Sequence, residues 1–140
     1  MFLNQLNQEN KELFLKICVL GALSNGDFKQ QEKEIILAYC HEMNIPENIP
    51  EYNESLEQIL KNLGDKTSDV EKNIILLEVM GLIKSDGFYD EKEITFINSL
   101  VKNLNIKEEV LSKITSLLET YTTVCNKLYS TIFEVERNYI

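Results

Sequence analysis

The chain has 140 residues, 44% of them hydrophobic, with five glycines and two prolines. That is enough for one domain spanning residues 1–140 with a real core, and so few breakers beside so much Leu, Ile, Lys and Glu predict an all-α protein. A formal net charge of −9 repels phosphate backbones and anionic headgroups alike, which disfavours nucleic-acid binding and direct attachment to a membrane surface.

Taken in chain order, Phe2, Leu3 and Leu6 predict a short amphipathic opening helix, a lid on the bundle. From Glu9 to about Ser24, Leu13, Phe14, Ile17, Cys18, Leu20 and Gly21 follow helical spacing, and Val19, Ala22 and Leu23 widen the stripe. Asn25-Gly26 breaks this helix. A second runs from about Gln30 to Met43 on Ile35, Ile36, Tyr39, Cys40 and Met43, and ends at Asn44-Ile45-Pro46. A third is expected over Glu51–Leu63 on Tyr52, Leu56, Ile59, Leu60 and Leu63, with Gly64 as its C-terminal cap.

Ser68-Asp69-Val70-Glu71 is a capping box that launches a fourth helix through Ile74, Leu77, Val79, Met80 and Ile83. Ile94, Ile97, Leu100, Val101 and Leu104 form a fifth face, and Asn105-Ile106 repeats the ending seen at Asn44-Ile45. Val110, Leu111, Ile114, Leu117 and Leu118 form the next helix, and Val124, Cys125, Leu128, Ile132, Phe133 and Val135 continue the pattern in the tail. The β-branched cluster Thr120–Thr123 is expected to bend or divide these last two. The reading is a compact bundle of six to seven helices.

Sliding the chain by 61 residues superposes its halves without a gap. Leu15 meets Leu76, Gly26 meets Gly87, Glu32 meets Glu93, Ile36 meets Ile97, and Asn44 meets Asn105. Two copies of that length are too few for a solenoid and read as a pair of pseudo-repeated helical hairpins, about 13–48 and 74–109.

Cys18, Cys40 and Cys125 lie on apolar helical positions without metal-type spacing, as reduced core thiols of a cytoplasmic protein would. His41 reads as a surface or boundary residue, and Glu42 as a solvated one. Gly21 and Gly81 inside helices suggest close helix crossings. The start, Met1-Phe2-Leu3-Asn4, has no basic segment or long apolar run, so no signal peptide is expected. No apolar run approaches the length of a membrane span.

Chemistry concentrates at Ser85-Asp86-Gly87-Phe88-Tyr89-Asp90-Glu91-Lys92-Glu93. Asp86-Gly87 marks a tight turn. Asp90 and Glu93 form a capping box at the helix that follows. With Gly87 as the sixth residue of an EF-hand loop, Asp86, Asp90 and Glu93 occupy ligand positions, but Leu82 and Lys84 fall where the first and third ligands belong. It is not an EF-hand. Two readings stay open. Asp86, Asp90 and Glu93 are half of a cation site completed from elsewhere, or they only cap and solvate a helix start. The counterpart turn, Asn25-Gly26 with Glu32, carries Lys29 in the place of Asp90.

A helical Phe14-Leu15-Lys16-Ile17 run into a small-residue/Gly turn, with a glutamate seven residues past the turn's Asn25 or Asp86, occurs twice at one register. This resembles the TerB-like tellurite-resistance family, whose signature is Ala-Asp-Gly-x-x-x-x-x-Glu. The resemblance covers nearly the whole chain and implies a bundle of about seven helices, shared with the N-terminal domain of a membrane-linked J-domain co-chaperone. It also implies a bacterial, cytoplasmic, non-enzymatic protein of tellurite resistance, stress response or phage defence, working through protein partners in membrane-associated complexes. Carried over by position, Asp86 and Glu93 in the second motif and Asn25 and Glu32 in the first, with Asp90 beside them, would hold a divalent cation (Ca²⁺, Mg²⁺ or Mn²⁺) or a partner. Asn25 stands where the family has aspartate. The alternative expectation is a plain protein-interaction scaffold or co-chaperone-like adaptor with no metal site.

Overall fold

Helix starts in this chain are set by side chains that accept the otherwise unpaired N–H groups of the first turn. The computed structural model describes residues 1–25, 29–51, 54–84 and 90–137. Among them are six α-helices and no strand: α1 (Gln8–Ala22), α2 (Gln30–Glu42), α3 (Leu56–Lys66), α4 (Asp69–Ile83), α5 (Glu91–Leu104) and α6 (Glu108–Arg137). Asn7 caps α1, Ser55 caps α3, Ser68 caps α4 and Asp90 caps α5, the last three through complete capping boxes with Gln58, Glu71 and Glu93. The opening residues make a 3-10 turn, Leu3–Gln5, rather than an α-helix, and bury Leu3 and Leu6.

The 61-residue repeat is built into the backbone. Both α1 and α4 have 15 residues and start 61 positions apart. After α2 and α5 the chain turns through left-handed asparagines, Asn44 at φ 57° and Asn105 at φ 58°. The hydrogen bonds match too: Asn44 N–H to His41 O and Ile45 N–H to Cys40 O, then Asn105 N–H to Lys102 O and Ile106 N–H to Val101 O. Asparagine tolerates this conformation because its short polar side chain lowers the penalty for the left-handed region.

Within Met1–Lys107, one compact unit, α1 packs on α3 and α4, and α5 packs on α3 and α4. The core is shared evenly by the repeats: Phe14, Leu15, Cys18 and Val19 from α1 answer Ile75, Leu76, Val79 and Met80 from α4. Ile36 and Met43 answer Ile97 and Leu104 in the same way. Gly21 is a close crossing, as the sequence suggested. A Cβ there would sit 3.1 Å from Phe96 Cε1 and 3.3 Å from Ile83 Cδ1. Gly81 is not, since a Cβ would meet nothing within 4 Å.

Several boundaries and faces differ from expectation. The third helix begins at Leu56, not Glu51, because Ser55 and Gln58 provide a capping box. Tyr52, expected on its inner face, lies outside the described residues. Gly64 is inside α3 rather than beyond its end; it lets α3 approach α5, where a Cβ would stand 3.4 Å from Asn103 O. On α5, Ile94 is exposed and Phe96 buried. Leu13 and Leu20 are half-buried, and Leu15 with Val19 takes the core positions beside Phe14.

The second compact unit, Glu108–Ile140, contains α6. The threonine cluster does not divide it: α6 is continuous over 30 residues. Thr120, Thr122 and Thr123 each donate their hydroxyl to the carbonyl four residues back, at 3.1, 2.9 and 3.0 Å. That bond satisfies each hydroxyl within the continuous helix. Cys125, read as a core thiol, is exposed; Cys18 and Cys40 are buried as expected.

Candidate functional site

The two turns singled out by sequence leave from one end of the helical core. Gly21, near the end of α1, lies against Ile83 at the end of α4 and against Phe96 in the second turn of α5. The 3-10 turn Leu23–Asn25 that follows α1 also packs on α5. The chain therefore enters residues 26–28 and 85–89 from neighbouring helix ends. Asp86 and the side chain of Asn25 lie outside the described residues.

Of the five residues proposed, Glu32, Glu93 and Asp90 are described in full. Glu32 and Glu93 occupy the third position of α2 and α5, and both are buried, with 4% and 2% of their surface exposed. Glu93 Oε1 accepts from Asp90 N–H at 3.2 Å, and Asp90 Oδ1 accepts from Glu93 N–H at 2.9 Å. Glu32 Oε1 accepts from Lys29 N–H at 3.1 Å. Only half of the box forms there, because a lysine ammonium has no lone pair with which to accept the return bond.

Capping alone does not call for burial. Gln58 fills the same third position in α3 and is exposed, and Glu71 fills it in α4 and is half-buried. Taking a carboxylate out of water costs several kcal/mol unless charge or hydrogen bonds compensate. The two buried glutamates are thus the same feature, made twice, directly after the two turns. Among the described residues no three His, Cys, Asp or Glu side chains gather as a metal-holding group. Carboxylate and amide oxygens, the donors of Asn25, Glu32, Asp86, Asp90 and Glu93, are the kind that hard divalent cations take.

A second polar cluster joins the opposite ends of α1 and α4. Asn10 and Glu71, which the repeat makes equivalent, bond to each other: Asn10 Nδ2 donates to Glu71 Oε2 at 3.0 Å and to Lys66 O at 3.1 Å. Asn7 N–H donates to the same Glu71 oxygen at 3.1 Å. Burial works against the Glu71 charge, but the hydrogen bonds from Asn10, Asn7 and Ser68 outweigh it and hold the carboxyl below its ordinary range.

Sequence reasoning missed a third cluster. Glu42, read as solvated, and Glu78, at the position corresponding to Ile17, both reach the Met1 ammonium at 2.6 Å. Burial opposes that charge, but the two carboxylates more than offset it and raise the amine above its usual 8.0. Tyr39 O–H donates to Glu78 O at 2.9 Å; burial pushes its phenol up, and it pushes the Cys18 thiol up as well. The signal was the replacement of an apolar core position by glutamate in the second repeat. His41 is exposed and pairs with Glu47.

No family model and no curated protein matches the chain. Among solved structures, the crystal structure of a tellurite resistance protein from Nostoc punctiforme is similar at a TM-score of 0.67 and 21% sequence identity, over 90% of this chain and 81% of that one. At this identity the likeness is one of fold. The chain has a TerB-like, all-helical fold, as the doubled turn motif implied.

Proposed function

We propose that this chain is a non-catalytic TerB-like helical module of the bacterial stress response, of the tellurite-resistance or phage-defence type. It acts through protein partners in a cytoplasmic or membrane-associated complex, and it binds a divalent cation at its two acidic turns. The observation that carries the reading is the burial of Glu32 and Glu93 at repeat-related positions, each seven residues past Asn25 or Asp86 in the sequence. A buried carboxylate gains from a nearby positive charge, and a bound cation supplies one. The fold likeness to a tellurite resistance protein supports the setting.

The test is calorimetric titration with Ca²⁺, Mg²⁺ and Mn²⁺ of the wild type, of Asp86→Asn, and of the Asp86→Asn/Glu93→Gln double variant. Binding heat and a thermal upshift in the wild type, lost in both variants, are expected. Equal behaviour in all three proteins would sink the cation.

The complete Asp90–Glu93 capping box favours a second reading, a scaffold or co-chaperone-like adaptor with no metal. Under it, Glu93→Gln costs about 1 kcal/mol of stability through the weakened cap and leaves partner recovery in pull-downs intact. Under the first reading, recovery falls with the double variant.

A further inference from the structure

In the middle of α6, four apolar residues at helical spacing lie open to water. Leu117, Tyr121, Val124 and Leu128 are 61%, 54%, 49% and 58% exposed. Their spacing of four, three and four residues is the seam of a coiled coil, not the scattered apolar surface of an ordinary exposed helix. We infer that this seam joins two copies of the chain, with α6 pairing antiparallel to α6 of the second copy about a two-fold axis between residues 122 and 123.

Charge complementarity chooses this occupant and this direction. Antiparallel helices meet by setting the first seam position of each heptad against the fourth of its neighbour. The register that places Tyr121 opposite Val124 of the second copy also places Leu117 opposite its Leu128. That same register brings Lys113 on the flank of the seam against Glu134 of the second copy, and the two-fold axis makes each of these pairs twice. Parallel pairing would stack Tyr121 on Tyr121 and lay Lys113 over the apolar Leu118. It would also align the two helix dipoles, which repel when parallel and attract when antiparallel.

The one polar residue on the seam does not obstruct burial. Thr131 already donates its hydroxyl to Lys127 O at 2.7 Å, so the contact leaves no orphaned donor. At about 1.5 Å per residue the seam from Ile114 to Thr131 runs about 26 Å.

Sedimentation equilibrium of the full chain tests the pairing. A dimer at micromolar concentration is expected, with Leu117→Glu/Leu128→Glu monomeric and its helical circular dichroism retained. Glu134→Lys, an exposed change that does not threaten folding, should weaken the dimer at least tenfold by setting like charges together. Lys113→Glu/Glu134→Lys should restore it. A wild type that stays monomeric at tens of micromolar, a dimer indifferent to Leu117→Glu/Leu128→Glu, or a charge swap that fails to restore association would each overturn the proposal. So would a monomeric wild type that floats with phosphatidylglycerol vesicles, which would assign the seam to a lipid surface.

Discussion

Asn10 and Glu71 stand at equivalent places in the two repeats, and each is the other's hydrogen-bond partner, at 3.0 Å. Asn10 is fully buried. Asn10→Asp should therefore set two carboxylates against each other in a site with little water. A loss of about 1–3 kcal/mol at neutral pH is expected, since a buried bond to a charged group is replaced by repulsion. Urea melts of the two proteins check it, and the gap between them should narrow as acid protonates one carboxyl of the pair.

Glu71 gives the wild type an acid-side dependence of its own. Its carboxyl is held below the ordinary 4.5 in the folded chain, so the unfolded chain binds the proton more readily. The resulting stability is present above 4.5 and is lost as pH falls through the lowered folded value. Glu71→Gln should flatten that part of the profile. Melting temperatures recorded from pH 6 downward, about two units either side of the carboxylate range, read the difference.

Two glycines inside helices, Gly21 of α1 and Gly81 of α4, should respond in opposite directions. Gly21→Ala drives a methyl against the Phe96 ring at 3.1 Å and Ile83 at 3.3 Å. It should destabilise by about 1–2 kcal/mol, as overpacking does. Gly81→Ala has open space and should gain about 0.5–1 kcal/mol through helix propensity and a less flexible unfolded chain. Thermal melts of the pair settle both signs.

The left-handed asparagines offer a check on the repeat itself. Asn44→Ala and Asn105→Ala should each cost about 1 kcal/mol, because alanine carries a Cβ into that region without a compensating polar side chain. Asn→Gly at either site should be neutral or stabilising. If the two positions do the same work, denaturant midpoints should move by similar amounts.

The all-helical architecture and the repeat were legible because they rest on local signals: capping pairs such as Ser68–Glu71 and Asp90–Glu93, and a gapless register that carries Asn44 onto Asn105. The start of α3 was misplaced because apolar Tyr52 extended the periodic pattern past the Ser55 cap. Gly64 looked like a stop because a glycine's role inside a helix depends on the backbone of another, here Asn103. At the candidate site, spacing identified Glu32 and Glu93, while their burial depends on packing that spacing does not contain. Glu42 and Glu78 were invisible as a pair since 36 residues of chain separate them and only the fold brings both to Met1.

Symmetry has one further consequence. In two separate, identical hairpins joined about a two-fold axis, the residue on the axis must face its own copy, asparagine against asparagine or glutamate against glutamate. The helix Leu56–Lys66 stands between the two hairpins of one chain and frees the axis from that rule. A donor can then be written on one side and an acceptor on the other, as at Asn10 and Glu71. The same freedom lets position 17 stay isoleucine while its twin at 78 becomes a buried glutamate. Covalent continuity thus turns a self-matching contact into a matched pair of opposites, which two identical chains could not encode.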